Sequence, residues 1–306
     1  MSLIELFCGI GGVAEAVRGL DAPPQKINLA TSRAVDIDRD CGRVYKHNFD
    51  GVFDCQTIES IDWNHVRFQR DEPEFWWLSP PCQPYCRRGR GRWDDDPRCQ
   101  AILSLIGWLA TRPAGLPDYL ALENVPGFAS TSHRNCLVDG LGDAGFDVAE
   151  IVVCPTLFGI PNRRRRYFLL ASRQSAVSVE MPQGSPQRFA VADVLEPIPD
   201  DASELWMDSQ VVAQYASAMD VVDADNRLAV TACFASGYGK SIIRSGSYLR
   251  QNGRLRRFSP LEVARLMGFS AAFTFPPGYS YRKQWKMLGN SLSIPVVQAL
   301  LKALVR

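Results

Sequence analysis

Leu3-Ile4-Glu5-Leu6-Phe7-Cys8-Gly9-Ile10-Gly11-Gly12-Val13 sets an apolar run, a turn holding three glycines, and the first apolar residue of a helix in immediate succession. A strand that feeds a helix through so tight a turn is the opening half of a βαβ unit. The pattern recurs downstream. Short runs at Ala34–Asp36, Phe75–Leu78, Tyr119–Leu122, Val148–Val153 and Tyr167–Ala171 read as further strands. Between two of them, Asp96 and Pro97 start a helix as N-cap and first residue, with Ala101, Ile102, Leu105, Ile106 and Leu109 on one face. Strand and helix in alternation build an α/β domain whose parallel sheet is covered by helices.

After about residue 172 the texture changes. Pro182, Gly184, Pro186, Pro197 and Pro199 punctuate polar, weakly periodic sequence as far as about Arg257. A capping box at Ser259-Pro260-Leu261-Glu262 then starts a helix that Gly268 stops, and a last apolar helix runs from about Pro295 to Val305. Its apolar face needs a surface to bury. The expected organisation is therefore 1–172 as the α/β domain, 173–284 as a smaller, irregular domain, and 285–306 as a segment returning to the first.

The 306 residues, 46% hydrophobic and 22% charged, exclude a disordered or coiled-coil chain. The apolar stretch Ala101–Ala110 is too short to span a bilayer and no leader pattern is visible, so a membrane partner is not expected. Nine cysteines without CxxC or zinc spacing suggest neither a disulfide framework nor a metal site, and fit a reducing cytoplasm. The net charge of +1 argues against non-specific coating of nucleic acid. Arginines nevertheless bunch at Arg87, Arg88, Arg90 and Arg92, at Arg163–Arg166, and at Arg254, Arg256 and Arg257, leaving room for local basic surfaces.

Five places carry chemistry. The glycine turn exposes backbone N–H groups to a ligand, although a ligand-free tight turn explains it equally well. Asp36 ends the next strand where nucleotide-binding α/β folds hold a ribose hydroxyl; alone it is equally a helix cap. Cys82, in Ser79-Pro80-Pro81-Cys82-Gln83-Pro84-Tyr85, occupies a proline-stiffened loop at a strand's carboxyl end, an odd place to store a core thiol and a suitable one for a nucleophile. Glu123, at the end of the Tyr119 strand, can reach the same edge. In the run Asn162-Arg163-Arg164-Arg165-Arg166-Tyr167, a period of two sends Arg164 and Arg166 to one side and Arg163 and Arg165 to the other.

In order, Phe7-Cys8-Gly9-Ile10-Gly11-Gly12, Asp36, Pro80-Pro81-Cys82-Gln83, Glu123-Asn124-Val125, Arg164 with Arg166, and Gly289-Asn290-Ser291 resemble the motif set of the cytosine-5 methyltransferases. Asn162, the Cys233-Phe234-Ala235-Ser236-Gly237-Tyr238 stretch, Thr57-Ile58-Glu59 and Val44–Phe49 look like one branch, the DNA-methyltransferase-homologue-two family of tRNA-aspartate methyltransferases. Ala235 departs from that branch's threonine.

The resemblance implies a Rossmann-like S-adenosylmethionine-dependent methyltransferase fold, with a mixed, mainly parallel sheet and a target-recognition domain. It implies a methyl transfer to C5 of cytosine 38 in the anticodon loop of tRNA-Asp, with a DNA cytosine-5 methyltransferase of a modification system as the alternative. Cys82 would attack C6, Glu123 would act at N3, and Arg164 and Arg166 would steady the loop and the developing charge. S-adenosylmethionine, leaving as S-adenosylhomocysteine, would lie against Phe7, Ile10, Gly11 and Gly12, with Asp36 on the ribose, Ile58 and Glu59 near the adenine, and Ser79, Asn290 and Ser291 completing the site. Candidate RNA contacts are Arg87, Arg88, Arg90, Cys233, Phe234, Tyr238, Arg254, Arg256 and Arg257, with Tyr85 and Trp93 as further aromatics for base stacking. A monomer with residual affinity for DNA is expected.

Overall fold

Seven strands form the main sheet of the computed structural model, in the order β3-β2-β1-β4-β5-β7-β6. The structure describes residues 1–20, 27–61, 73–85, 99–111, 116–180, 182 and 184–305. In chain order the elements are β1 (Ser2–Leu6), α1 (Gly12–Arg18), β2 (Arg33–Asp36), α2 (Arg39–Asn48), β3 (Val52–Cys55), β4 (Glu74–Leu78), α3 (Gln100–Thr111), β5 (Tyr119–Asn124), α4 (Ser132–Asp143), β6 (Asp147–Val153) and β7 (Arg166–Ser172). Every residue of β1 and β5 is buried, the continuous apolar signature of strands covered on both faces. One layer of core joins Leu6, Leu78, Leu122 and Leu169 of the sheet to Ile102, Leu105 and Leu109 of α3 and Leu137 and Leu141 of α4. The expected start of α3 at Asp96 and Pro97 lies outside the described residues.

The sheet departs from uniform parallelism in one strand: β7 runs antiparallel to both β5 and β6. Between β6 and β7 the chain makes only a 3₁₀ turn, Pro155–Phe158, and no crossover helix, and a parallel return needs such a crossover. From β1 the chain moves outward through β2 to β3, then crosses back to β4 and continues the other way. The carboxyl ends of β1 and β4 therefore flank the topological switch point, where open α/β sheets bind their ligands.

The chain divides into two compact units: Met1–Val153 with Arg165–Glu180 and Val297–Arg306, and Cys154–Arg164 with Met181–Val296. The expected borders at 172/173 and 284/285 shift for packing reasons. In the second unit, α5 (Ser209–Tyr215), β8 (Asp220–Asp223), β9 (Ser247–Gln251), β10 (Arg254–Arg257), α6 (Pro260–Met267) and α7 (Tyr281–Gly289) follow one another, and α8 (Ile294–Leu304) begins there and ends in the first unit. Trp285 on α7 donates its indole N–H to the Phe258 carbonyl at 3.0 Å. Asn162 donates to Thr231 and to the Ala232 carbonyl at 2.9 and 3.0 Å. These contacts hold α7 and the 154–164 segment in the second unit. Within the first unit, Gln298 on α8 donates to the Ala16 carbonyl at 3.1 Å.

The β9–β10 hairpin closes through Asn252-Gly253 with both residues at positive φ (50° and 74°), the backbone of a type I′ turn. The α6 start is the expected capping box: Ser259 and Glu262 each accept the other's backbone N–H, with Pro260 in the first turn and Gly268 in the left-handed C-cap. Tyr281–Leu304 is also apolar and long enough to cross a membrane by composition, but it is mostly buried and is broken between Gly289 and Ile294, as core helices are. The eight described cysteines are unbridged; Cys55 and Cys136 are exposed and so are not core thiols.

Candidate active site

At the carboxyl end of β1 the chain enters the glycine turn through a strained backbone. Phe7 adopts φ 56° and Gly9 and Gly11 follow at 54° and 83°. A non-glycine residue in that region costs on the order of 1 kcal/mol, so Phe7 is held there by its neighbours. Gly11 is fixed twice, by its φ and by space: a Cβ would lie 2.5 Å from Phe49 and 2.9 Å from Tyr45.

Two carboxylates shape the turn. Asp36, at the end of β2, accepts the Gly9 N–H on Oδ2 and the Asp38 N–H on Oδ1, both at 2.9 Å. Burial raises its pKa above the ordinary range, while these N–H groups work against the rise. Each oxygen keeps a second lone pair for a ligand hydroxyl. Glu5, 2% exposed within β1, accepts the Val13 N–H at 3.2 Å and so serves an orphan donor of α1. Its Oε2 has no hydrogen-bond partner, and burial pushes its pKa up to about 8. Sequence reading passed over Glu5; the usable signal was a carboxylate inside an otherwise apolar strand next to a glycine turn.

On the other side of the switch point, Ser79 continues the β1–β4 ladder, donating its N–H to the Leu6 carbonyl at 3.1 Å, and its hydroxyl accepts from Trp77 at 2.9 Å. Cys82 is half-buried at the entry to the 3₁₀ turn Gln83–Tyr85. The loop is braced from β5, where the Asn124 amide donates to the Pro80 carbonyl at 3.3 Å. Leu78 pairs with Leu122, so Glu123 sits one step beyond that pair on the neighbouring strand. Glu123 is 8% exposed, and the Arg166 guanidinium lies 3.0 Å from its Oε1.

The expected alternation in the arginine run holds: Arg164 is buried and Arg166 half-buried, while Arg163 and Arg165 are exposed. In the second unit the Arg164 guanidinium donates to the carbonyls of Phe234 and Gly289, each at 3.1 Å, to the Ser291 carbonyl, and to the Cys233 sulfur at 3.5 Å. It clamps the Cys233 loop to the Gly289-Asn290-Ser291 loop. A Cβ on Gly289 would lie 2.3 Å from Ala235, which explains the glycine of that motif. Asn290 is exposed and Ser291 buried. Ile58 is buried in the first unit's core, and Glu59 beside it is exposed.

Several expected RNA contacts do not survive the structure. Arg256 is wholly buried in a two-pronged ion pair with Glu262, both contacts at 2.8 Å. Phe234 and Tyr238 are 2% and 1% exposed and pack with Phe258 and Trp285, and Tyr85 is 3% exposed in the first unit, so none of the three is a stacking platform. Arg254 remains exposed, stacked 4.0 Å over Trp206 and 3.4 Å from exposed Asp200, and half-buried Arg257 donates to the Glu204 carbonyl, so burial removes neither from the candidate contacts. Arg87, Arg88, Arg90 and Trp93 lie outside the described residues.

A thiol on a braced loop, at the same sheet edge as a carboxylate held by an arginine, can make and release a covalent bond to a ring while a proton moves at the carboxylate. With a ligand cradle on the adjacent strand, this is the equipment of a two-substrate group-transfer enzyme. Over residues 1–306 the chain matches the C-5 cytosine-specific DNA methylases, and it belongs to that family. It is a cytosine-5 methyltransferase, with the α/β sheet such enzymes share.

Similar proteins span its full length. The human tRNA (cytosine(38)-C(5))-methyltransferase is 28% identical, with 99% of each chain covered. The DNA (cytosine-5)-methyltransferase of Dictyostelium discoideum is 25% identical over all of this chain and 94% of its own. The S. pombe Dnmt2 methyltransferase superposes with a TM-score of 0.84 at 26% identity, covering 99% of this chain and 98% of that one.

Proposed function

We propose that this enzyme methylates C5 of cytosine 38 in the anticodon loop of tRNA-Asp, through a covalent bond between Cys82 and C6. The observation that carries the chemistry is Cys82 and the Arg166-held Glu123 at the carboxyl ends of adjacent strands. The choice of tRNA rests on the names of the similar proteins and on the Cys233-Phe234 stretch. An anticodon-loop base already lies outside a helix, which lowers the cost of presenting both of its faces.

The cradle suits S-adenosylmethionine: in the turn from Phe7 to Gly12, Gly9 is half-buried with open space where a Cβ would stand, Asp36 keeps lone pairs for ribose hydroxyls, and Ser79 lies across the switch point. When bound, that donor supplies the activated methyl group. The Cys82 thiolate forms a bond to C6 as Glu123 stabilises the proton at N3, which turns C5 into a nucleophile. Once C5 carries the methyl group, loss of the C5 proton expels the Cys82 thiolate by β-elimination and restores the ring. Arg166 keeps Glu123 in place throughout.

We further assign the phosphate contacts to the acid-poor stretch Asn226–Val296 of the second unit. Between Asn226 and Val296 the sequence holds eleven lysines and arginines and a single acid, the buried Glu262. Arg227, Arg250 and Arg254 face Asp193, Asp223 and Asp200. Lys240, Arg244, Arg282 and Lys286 are exposed. The backbone at Gly239, next to Lys240, packs against Trp285 of α7, the helix that also carries Arg282 and Lys286.

Transfer of labelled methyl from S-adenosylmethionine to total tRNA and, in parallel, to duplex DNA tests the proposal, with bisulfite sequencing of the product and Cys82→Ala as control. Label at one anticodon-loop cytosine, lost in Cys82→Ala, is expected. Label in duplex DNA alone would establish the reading suggested by the Dictyostelium relative's name and overturn ours.

A further inference from the structure

A buried polar trio lies beneath the Cys82 loop and takes no part in the chemistry above. Tyr85 closes the 3₁₀ turn that Cys82 opens, its N–H donating to the Cys82 carbonyl at 3.0 Å. Its hydroxyl lies 2.9 Å from His133 Nδ1 on α4 and 3.3 Å from Cys99 Sγ, just before α3. The hydroxyl donates its proton to the Cys99 sulfur and its oxygen can accept from His133 Nδ1–H. The ring stands edge-on to Phe128 at 5.0 Å between centroids, and a Cβ on Gly127 would lie 2.3 Å from the Tyr85 carbonyl oxygen. Tyr85 and His133 are 3% and 4% exposed.

Packing alone does not require these polar groups. A phenylalanine at 85 would fill the same space without a hydroxyl that has to be taken out of water, and buried hydroxyls are tolerated only when hydrogen-bonded. What the hydroxyl adds is direction: it fixes the end of the turn to α4, while Asn124 holds Pro80 at the other end. A nucleophile misplaced by an ångström loses orders of magnitude in rate, so a loop secured at both ends has a kinetic use.

We propose that Tyr85 and His133 are positioning residues for Cys82, acting through the hydroxyl–imidazole hydrogen bond. The inference rests on the reading of Cys82 as nucleophile. Tyr85→Phe should slow single-turnover methyl transfer to tRNA by about tenfold or more, with donor and tRNA affinities unchanged. His133→Leu should slow it equally, and the double variant no further, because both changes break one bond. His133→Asn should restore most of the rate, since its side-chain amide can stand where Nδ1 stands and donate to the Tyr85 oxygen. Thermal unfolding of each variant reports on structure separately; if His133→Leu does not fold, Tyr85→Phe and His133→Asn still decide. Wild-type rate in Tyr85→Phe, or a slow His133→Asn with intact stability, would overturn the proposal. Methylation by Cys82→Ala would instead strike at the nucleophile reading itself.

Discussion

Replacing Glu5 by glutamine removes a titratable proton while keeping the shape and the oxygen that accepts from Val13. In the folded chain the Glu5 carboxyl holds its proton up to about pH 8, because burial outweighs the help of the α1 N–H groups; its ordinary value is 4.5. A folded-state pKa above the unfolded one means that the native state binds the extra proton. The contribution to stability is thus fully present below pH 4.5 and is lost as the pH rises through 8. Each pH unit in that interval costs about 1.4 kcal/mol, so the whole interval amounts to about 5 kcal/mol. Between about pH 5 and 7.5 the loss is about 3 kcal/mol, a large share of an ordinary domain's stability.

The glutamine side chain has nothing to titrate, so the stability difference between Glu5→Gln and wild type should widen by about that amount over the same range. Urea unfolding at half-unit pH steps, followed by tryptophan fluorescence, measures it; Trp76 and Trp77 on the adjacent β4 are buried reporters in the same unit. Parallel curves for the two proteins from about pH 5 to 8 would refute the reasoning, since they would mean that Glu5 ionises in the folded state as it does in water.

Three further outcomes follow from the site. Asp36→Ala should weaken S-adenosylhomocysteine binding by tenfold or more, measured by calorimetry, while tRNA affinity stays put, because hydrogen bonds to a charged carboxylate are each worth about 1.5–3 kcal/mol. Arg256→Ala should destabilise the second unit by about 3–5 kcal/mol by leaving Glu262 buried without its cation, with chemical denaturation as the readout. Neutralising Arg282 and Lys286 should reduce the slope of log affinity for tRNA against log salt by about one to two, whereas Arg254→Ala should leave it nearly unchanged.

The central strands were readable because burial on both faces leaves an unbroken apolar run: Phe75, Trp76, Trp77 and Leu78 are all buried. The edge strand β3 escaped notice for the complementary reason, since its four residues include exposed Val52 and Cys55 and show no such run. The reversal of β7 follows from the missing helix between β6 and β7, a clue in the sequence that strand-by-strand reading does not use. The Asn252-Gly253 dipeptide at the β9–β10 hairpin is a second such clue, and the sequence reading did not use it.

The site residues divide along the same line. Cys82, Asp36, Glu123 and Arg166 stand at strand ends, and strand ends are local properties of a sequence. Arg256 and Arg254 owe their roles to Glu262, Asp200 and Trp206, partners that a cluster of arginines read by itself does not reveal. Tyr85 shows the limit most sharply. Its place after Cys82 suggests a base-stacking ring, yet folding turns it inward to His133, forty-eight residues away, and leaves it no face for a base. A charge or an aromatic ring near a catalytic loop therefore indicates function only once the groups that compete for it from other elements have been located.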